Sequence, residues 1–365
     1  MKKATKKTFI AMSGGVDSSV AAALLKQRGY DVTGVFLRLA PDYKKPERAA
    51  RAVAKKLEIP FLVWDWREEF KKEIIGYFLT EYAAGRTPNP CVACNKLIKF
   101  SRFLKEAKKA GADYIATGHY VKKIQKLTSL QDARQGKAFQ EASFRIFQAK
   151  DKSKDQSYFL YNLNQKILSK ALFPLGDFTK EEIKKMADNW SLPYLKKESQ
   201  DICFLKGGHN EFLMKNLKLK KGKIVTADGK IIGEHDGLAL YTIGQRRGFG
   251  KGGGVPYYVV DKNIRKNLLI VASKADEKKF YKKEAEIKNI NWISGAPDEL
   301  GHLMSKLLKA RIRYRQPLQS CRILAVNPPL GGFTAKFIKP QRAITPGQSL
   351  VLYYGRELLG GGIIK

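Results

Sequence analysis

The sequence predicts an α/β protein in three parts: a parallel-sheet domain over residues 1–206, a small β-rich central domain over 207–275 and a C-terminal β-barrel over 276–365. Three observations predict it. From Thr8 to about Gly118, short apolar runs alternate with amphipathic segments, the signature of βαβ units. From about Gly207 a DG turn stands between apolar runs and dense glycine follows. Beyond residue 275, short strand-like runs are separated by Pro and Gly.

In chain order, TFIAM, VTGVFLRL, PFLVWDW and YIATG read as strands. Between the first two, DSSVAAALLKQRG places Val20 with Leu24 and Ala21 with Leu25 at helical spacing, and Gly29 suits the helix end. Lys122 to Ala149 is polar and without sustained period, a loop or a β-hairpin insertion. In FTKEEIKKMADNW, Thr179 with Glu182 three residues later is a capping-box signal for a new helix. GFGKGGG reads as an exposed basic loop, and KARIRYR, CRILAV, FTAKFI and SLVLYY as barrel strands. No heptads and no longer repeat appear.

A chain of 365 residues, 44% of them hydrophobic, can bury more than one core. Lys and Arg number 69 against 34 Asp and Glu, a net charge of +35 that implies a polyanionic partner bound with strong salt dependence. No apolar stretch approaches the roughly 20 residues of a membrane helix, and the basic start MKKATKKTFIAMSGG runs into glycines, so a cytoplasmic location is expected. There, Cys91, Cys94, Cys203 and Cys321 are expected as thiols.

Two motifs carry chemistry. Ser13-Gly14-Gly15-Val16-Asp17-Ser18-Ser19 lies between a strand and a helix, where backbone N–H groups and hydroxyls can cradle phosphate oxygens. It lacks the Lys of a Walker A loop, and a plain capped glycine turn is the competing reading. The second motif is Cys91-Val92-Ala93-Cys94, with Cys203 far along the chain. Zinc would want four ligands, and no second pair stands at matching spacing. Cys321, in a strand-like run, fits a buried inert thiol.

SGGVDSS resembles the phosphate loop of the PP-loop ATP pyrophosphatases. With GRTPNPCVACNKLIKF, ATGHY, KDQSYFL, SQDICF, GLALYTIGQRRG, RIRYRQP and TPGQ, the chain resembles the tRNA-specific 2-thiouridylase family over nearly its whole length. Only residues from about Lys126 to Ser143 fall outside the likeness. The resemblance implies a PP-loop (adenine nucleotide alpha hydrolase-like) fold for the first domain and ATP bound by Ala11, Met12, Ser13, Gly14, Gly15, Val16, Asp17, Ser18, Leu37 and Gly118. Asp17 would help position Mg²⁺. Cys94 matches the nucleophile and Cys203 the persulfide carrier.

By the same resemblance, Asn89, Pro90 and Cys91 lie at the target base, with His119, Lys154, Asp155, Gln156, Arg313, Tyr314 and Gln348 at further tRNA contacts. The partners implied are tRNA and a persulfide sulfur-donor protein, a cysteine desulfurase or a relay protein. The activity implied is adenylation of the wobble uridine's C2 carbonyl oxygen by ATP, then sulfur transfer from the persulfide. Position 91 holds Asp in some family members and Cys here, which leaves acid–base assistance unassigned. It also opens an iron–sulfur route through a [4Fe-4S] cluster on Cys91, Cys94 and Cys203. A PP-loop ligase of small molecules would explain the loop without the cysteines; a non-catalytic RNA-binding module would explain the charge without the loop.

Overall fold

The computed structural model describes residues 5–131, 138–196, 202–205, 208–246, 256–294, 303–327 and 332–365. The first domain is built on strands β1 (Lys7–Ala11), β2 (Asp31–Arg38), β3 (Phe61–Asp65) and β4 (Tyr114–Ala116). The polar stretch that follows is a hairpin of β5 (Val121–Gln131) and β6 (Ala138–Gln148), and β7 (Ala171–Leu172) completes the sheet. The order is β3-β2-β1-β4-β7, all parallel. Helices cover both faces, so neighbouring residues of β1 bury in opposite cores: Phe9 packs with Val35, Phe103 and Ile115, Ile10 with Val20, Leu24 and Val53. The chain leaves β1 toward β2 and returns beyond it to β4. That reversal opens a crevice at the carboxyl ends of β1 and β4, where open α/β sheets bind ligands.

The helix Val16–Gln27 follows β1 and ends where Gly29 takes a φ of +79°. Thr179 caps the helix Lys180–Asn189: its hydroxyl accepts from the Glu182 N–H at 3.2 Å, and the Glu182 carboxylate accepts from the Thr179 N–H at 2.6 Å.

The central domain pairs β8 (Gly222–Thr226), β9 (Ile231–His235), β10 (Tyr257–Asn263) and β11 (Leu268–Ser273) in the order β10-β11-β8-β9. The DG turn joins β8 to β9, with Gly229 at a φ of +89°. The glycine-rich loop expected at GFGKGGG lies outside the described residues.

The last domain contains β12 (Lys282–Trp292), β13 (Leu308–Arg311), β14 (Gln319–Asn327), β15 (Gly332–Gln341), β16 (Ser349–Tyr354) and β17 (Glu357–Ile364). They run β12-β15-β14-β13-β16-β17, and pairing of β12 with β17 closes a six-stranded barrel. Cys321 is fully buried in β14, as its sequence context predicted. The β5–β6 hairpin extends this barrel's sheet, with Phe147 opposite Glu357 and Ile146 opposite Leu358.

Candidate active site

The loop after β1 is tightly organised by its own short side chains. Ser18 Oγ accepts from the Ser13 N–H at 3.1 Å and donates to the Gly15 carbonyl at 3.1 Å; Ser19 Oγ donates to the same carbonyl at 2.9 Å. Gly14 has a φ of +79°, and a Cβ there would lie 2.4 Å from the Pro46 carbonyl oxygen. Leu195 N–H binds the Gly14 carbonyl at 2.9 Å, fixing the loop from the far side. Gly15 caps the helix, so the N–H groups of its first turn have no intrahelical acceptor and are available to an anion. Ser13 is exposed beside them, Ala11 and Leu37 are half-buried at the strand ends, and Met12 and Val16 are buried beneath.

Asp17 opens that helix, and Lys180 reaches both of its carboxylate oxygens, at 2.7 and 2.8 Å, while the Tyr120 hydroxyl donates to one of them at 2.6 Å. Read as a magnesium ligand, Asp17 therefore offers no free oxygen as placed. The cation at the loop is the Lys180 ammonium.

Gly118 follows β4 and abuts the loop so closely that a Cβ would lie 2.9 Å from Ser18 N and 3.0 Å from the Asp17 carbonyl carbon. The next residue, His119, bonds Thr117 Oγ1 through Nδ1 at 2.9 Å and packs on Phe100, ring centroids 5.7 Å apart. Burial, reinforced by the charge of Lys99, depresses its pKa to about 3, so the ring is neutral near pH 7.

Lys99 leads from His119 to the thiols. Asn89 caps the helix Pro90–Cys94, its side chain accepting from the Val92 N–H at 3.3 Å. The helix continues without a break into wider π-helical turns over Asn95–Arg102, which carry Lys99. Cys94 is buried, whereas Cys91 and Cys203 are exposed. Burial pushes the Cys94 pKa up to about 12, and raises those of Cys91 and Cys203; Lys99 opposes the rise at all three. Cys203 is placed by Phe204, which packs among Phe70, Phe78 and Phe212. Among the described residues, no three His, Cys, Asp or Glu side chains are grouped to hold a metal ion, so nothing in the geometry supports the cluster reading.

The predicted outer contacts form the wall between the first domain and the barrel. Gln348 donates to the Thr87 carbonyl at 2.9 Å and to that of Pro88 at 3.3 Å, bracing the segment that leads into Asn89, Pro90 and Cys91. Arg313 donates to the Ile243 carbonyl at 2.6 Å and to Thr345 Oγ1 at 2.8 Å, and Tyr314 packs on Phe159 with ring planes tilted by 48° and centroids 4.4 Å apart. Gln156 accepts from the Tyr120 N–H at 2.9 Å, and Lys154 beside it is half-buried. Asp155 has no exposed side-chain surface and bonds Gln148, Ala149, Ser157 and Arg311 inside the protein. As placed, its side chain is closed to any external partner and serves the packing of its own segment. Sequence reasoning missed Lys99, Tyr120 and Lys180. The capping box at Thr179 located the helix that carries Lys180, but nothing local aimed its side chain at a loop 163 positions away.

Residues 6–207 match the family described as the tRNA methyl transferase HUP domain, 210–273 the tRNA methyl transferase PRC-barrel domain and 282–364 the aminomethyltransferase beta-barrel domain. A tRNA-specific 2-thiouridylase MnmA 2 of Clostridium botulinum (strain Loch Maree / Type A3) is 43% identical over 368 residues, 98% of this chain and 97% of that protein. The tRNA-specific 2-thiouridylase MnmA of Alkaliphilus oremlandii is 41% identical, covering 100% of this chain and 99% of its own. That of Nitrosomonas eutropha is 41% identical, with 98% of each chain covered.

Proposed function

The chain belongs to the tRNA-specific 2-thiouridylase family, and from that premise we propose that it thiolates a tRNA wobble uridine at C2 in the cytoplasm, with ATP as activator and Cys94 and Cys203 as the sulfur-handling pair. One observation carries the reading: Gly118 and His119 are consecutive residues, the first touching the phosphate loop and the second facing Lys99 of the thiol site. In this reading, phosphate recognition and sulfur chemistry meet at the carboxyl end of one strand, β4. A small-molecule ligase would need the loop but not the thiols, and a binding module neither.

In this reading ATP arrives with Mg²⁺ on its phosphates and lies on the N–H groups of the loop, with Lys180 supplying positive charge there. The uracil O2 attacks the α-phosphate, pyrophosphate leaves, and the N3 proton is lost. The terminal sulfur of a Cys203 persulfide, loaded by a sulfur-donor protein, then attacks C2 and expels AMP. Cys94 attacks Cys203 Sγ, forming the Cys94–Cys203 disulfide and releasing the thiouridine, which regains a proton at N3. A dithiol reductant supplies two electrons and two protons to reset the enzyme. Neutral His119 has no charge to offer and serves to shape the thiol site.

The test is mass spectrometry of tRNA nucleosides after incubation with ATP, Mg²⁺ and a persulfide donor. 2-Thiouridine that depends on ATP is the expected product. A methylated uridine in its place, or pyrophosphate release that needs no tRNA, overturns the reading.

A further inference from the structure

Lys99 is set apart from the other recessed lysines by what surrounds it. Lys180 is bonded to Asp17, Lys123 to the Leu168 and Ala171 carbonyls, and Lys262 to the Gly85 carbonyl. Among the described residues Lys99 has no hydrogen bond or ion pair. The ionisable groups that act on it are the thiols of Cys94, Cys91 and Cys203, and His119 feels its charge in turn. These come from three separate places: its own helix, the segment around residue 203, and the end of β4. No carboxylate is among them.

The backbone explains how this comes about. Lys99 stands five residues after Cys94, and between them the helix changes to the wider i→i+5 turn. In an α-helix, five residues overshoot one turn by about 140°; a π turn brings position i+5 back toward the face of position i. Ile98 and Phe100 on either side are wholly buried, which leaves the Lys99 side chain little freedom to turn away.

Resting on the thiolase reading above, we propose that Lys99 is a positioning residue that stabilises the Cys94 thiolate as it forms to resolve the sulfur adduct. Cys94 Sγ⁻ attacks Cys203 Sγ, one S–S bond forms as another breaks, and the electron pair leaves on the thiouridine sulfur. The proton lost by Cys94 is matched by the one N3 regains. Lys99 keeps its proton throughout, and its fixed charge offsets the cost of ionising a buried thiol. Burial opposes the Lys99 charge and the thiols, once ionised, favour it, the balance standing above the usual lysine value. The same cation acts on Cys91.

The experiment follows iodoacetamide alkylation of each cysteine by peptide mass spectrometry from pH 6 to 10, on the full chain with Lys99→Met, Lys99→Gln and Lys99→Arg. In the Met and Gln variants, the Cys94 profile should move up by about one pH unit or more, equivalent to about tenfold slower alkylation at pH 7.5. Arg should restore it. If Met does not give the wild-type melting profile, Gln, which keeps a polar end without charge, decides. An unmoved Cys94 profile in a folded neutral variant overturns the proposal. Under turnover the neutral variants should also accumulate a tRNA–enzyme adduct that dithiothreitol releases. A wild-type enzyme that makes no 2-thiouridine, with the alkylation profile still displaced in the variants, would remove the thiolase reading and leave the Lys99–Cys94 pairing standing.

Discussion

Lys180 and Asp17 form a two-pronged ion pair across the phosphate loop, with N–O distances of 2.7 and 2.8 Å. The lysine side chain is 9% exposed and the carboxylate 36%. An ammonium held at the first turn of this helix is a fixed positive charge available to a phosphate there. Lys180→Met should lower tRNA-dependent pyrophosphate release by about 100-fold, the scale of one lost transition-state donor. Pyrophosphate measured against ATP concentration checks this, and wild-type kinetics in the variant would assign Lys180 to folding alone.

The order of sulfur events predicts which intermediate each cysteine leaves behind. Cys203→Ala should abolish thiolation while retaining tRNA binding, because the persulfide has no carrier. Cys94→Ala should instead stall after AMP leaves, with tRNA bound to Cys203 through a disulfide. Non-reducing gels with labelled tRNA would show a dithiothreitol-sensitive band in the second variant only. A Cys203→Ala enzyme with full turnover contradicts the scheme.

Gly118→Ala places a methyl group 2.9 Å from Ser18 N and 3.1 Å from Ser18 Cα, both backbone atoms of the phosphate loop. Backbone yields less readily than the tip of a side chain, so the loop must shift. The expected cost is about 1–3 kcal/mol of stability, the range for overpacking, together with a raised KM for ATP. Thermal unfolding with and without ATP separates the two effects, since a displaced loop also loses nucleotide-dependent stabilisation.

What the sequence disclosed follows from how local each feature is. The loop from Ser13 to Ser19 was legible because its turn, cap and hydroxyls are neighbours in the chain, and the Thr179 capping box for the same reason. The inner parallel strands β1 and β2 were legible because burial on both faces gives them continuous apolar runs. The hairpin of β5 and β6 stayed undecided between loop and hairpin, since much of it is polar and its pairing with β17 joins residues about 210 positions apart. Lys99 was invisible for a different reason. In a chain with 69 Lys and Arg one more lysine carries no signal, and the expected helical period of 3.6 does not place position 99 over position 94. Asp155 misled in the opposite sense, because an aspartate in a polar run ordinarily faces water.

His119 gives a prediction about pH. Its pKa falls from an ordinary 6.5 to about 3 in the folded protein, chiefly through burial and then through Lys99. Between those values the unfolded chain binds a proton that the folded protein does not, so stability falls as pH drops from 6.5 toward 3. Above 6.5 both states are neutral and the ring contributes no pH dependence. His119→Gln should therefore lose less stability than the wild type between pH 7 and pH 5, and urea midpoints at the two values measure the difference. Equal losses in both proteins would mean that His119 is protonated in the fold.

For Asp155, a direct contact with tRNA and a role inside the protein are set apart by its bonds. Its Oδ1 accepts from the Ala149 and Ser157 N–H groups at 3.2 and 3.3 Å. Its Oδ2 accepts from Gln148 at 3.2 Å, Ser157 Oγ at 2.9 Å and Arg311 at 3.3 Å. Arg311 belongs to the barrel and its Nε has no partner, so Asp155 is the charge that makes burying this guanidinium tolerable. Removing one member of a buried pair leaves the other uncompensated, at a cost of about 3–5 kcal/mol. Asp155→Ala should fall in that range by urea denaturation, and Asp155→Asn, which retains an acceptor but no charge, should lie between it and the wild type. For tRNA, the slope of log affinity against log salt counts phosphates neutralised by cations. That slope should be unchanged in Asp155→Asn, since the carboxylate faces protein rather than phosphate. A steeper slope would show that removing this charge frees Arg311 for the RNA and that the wall between the domains opens when tRNA binds.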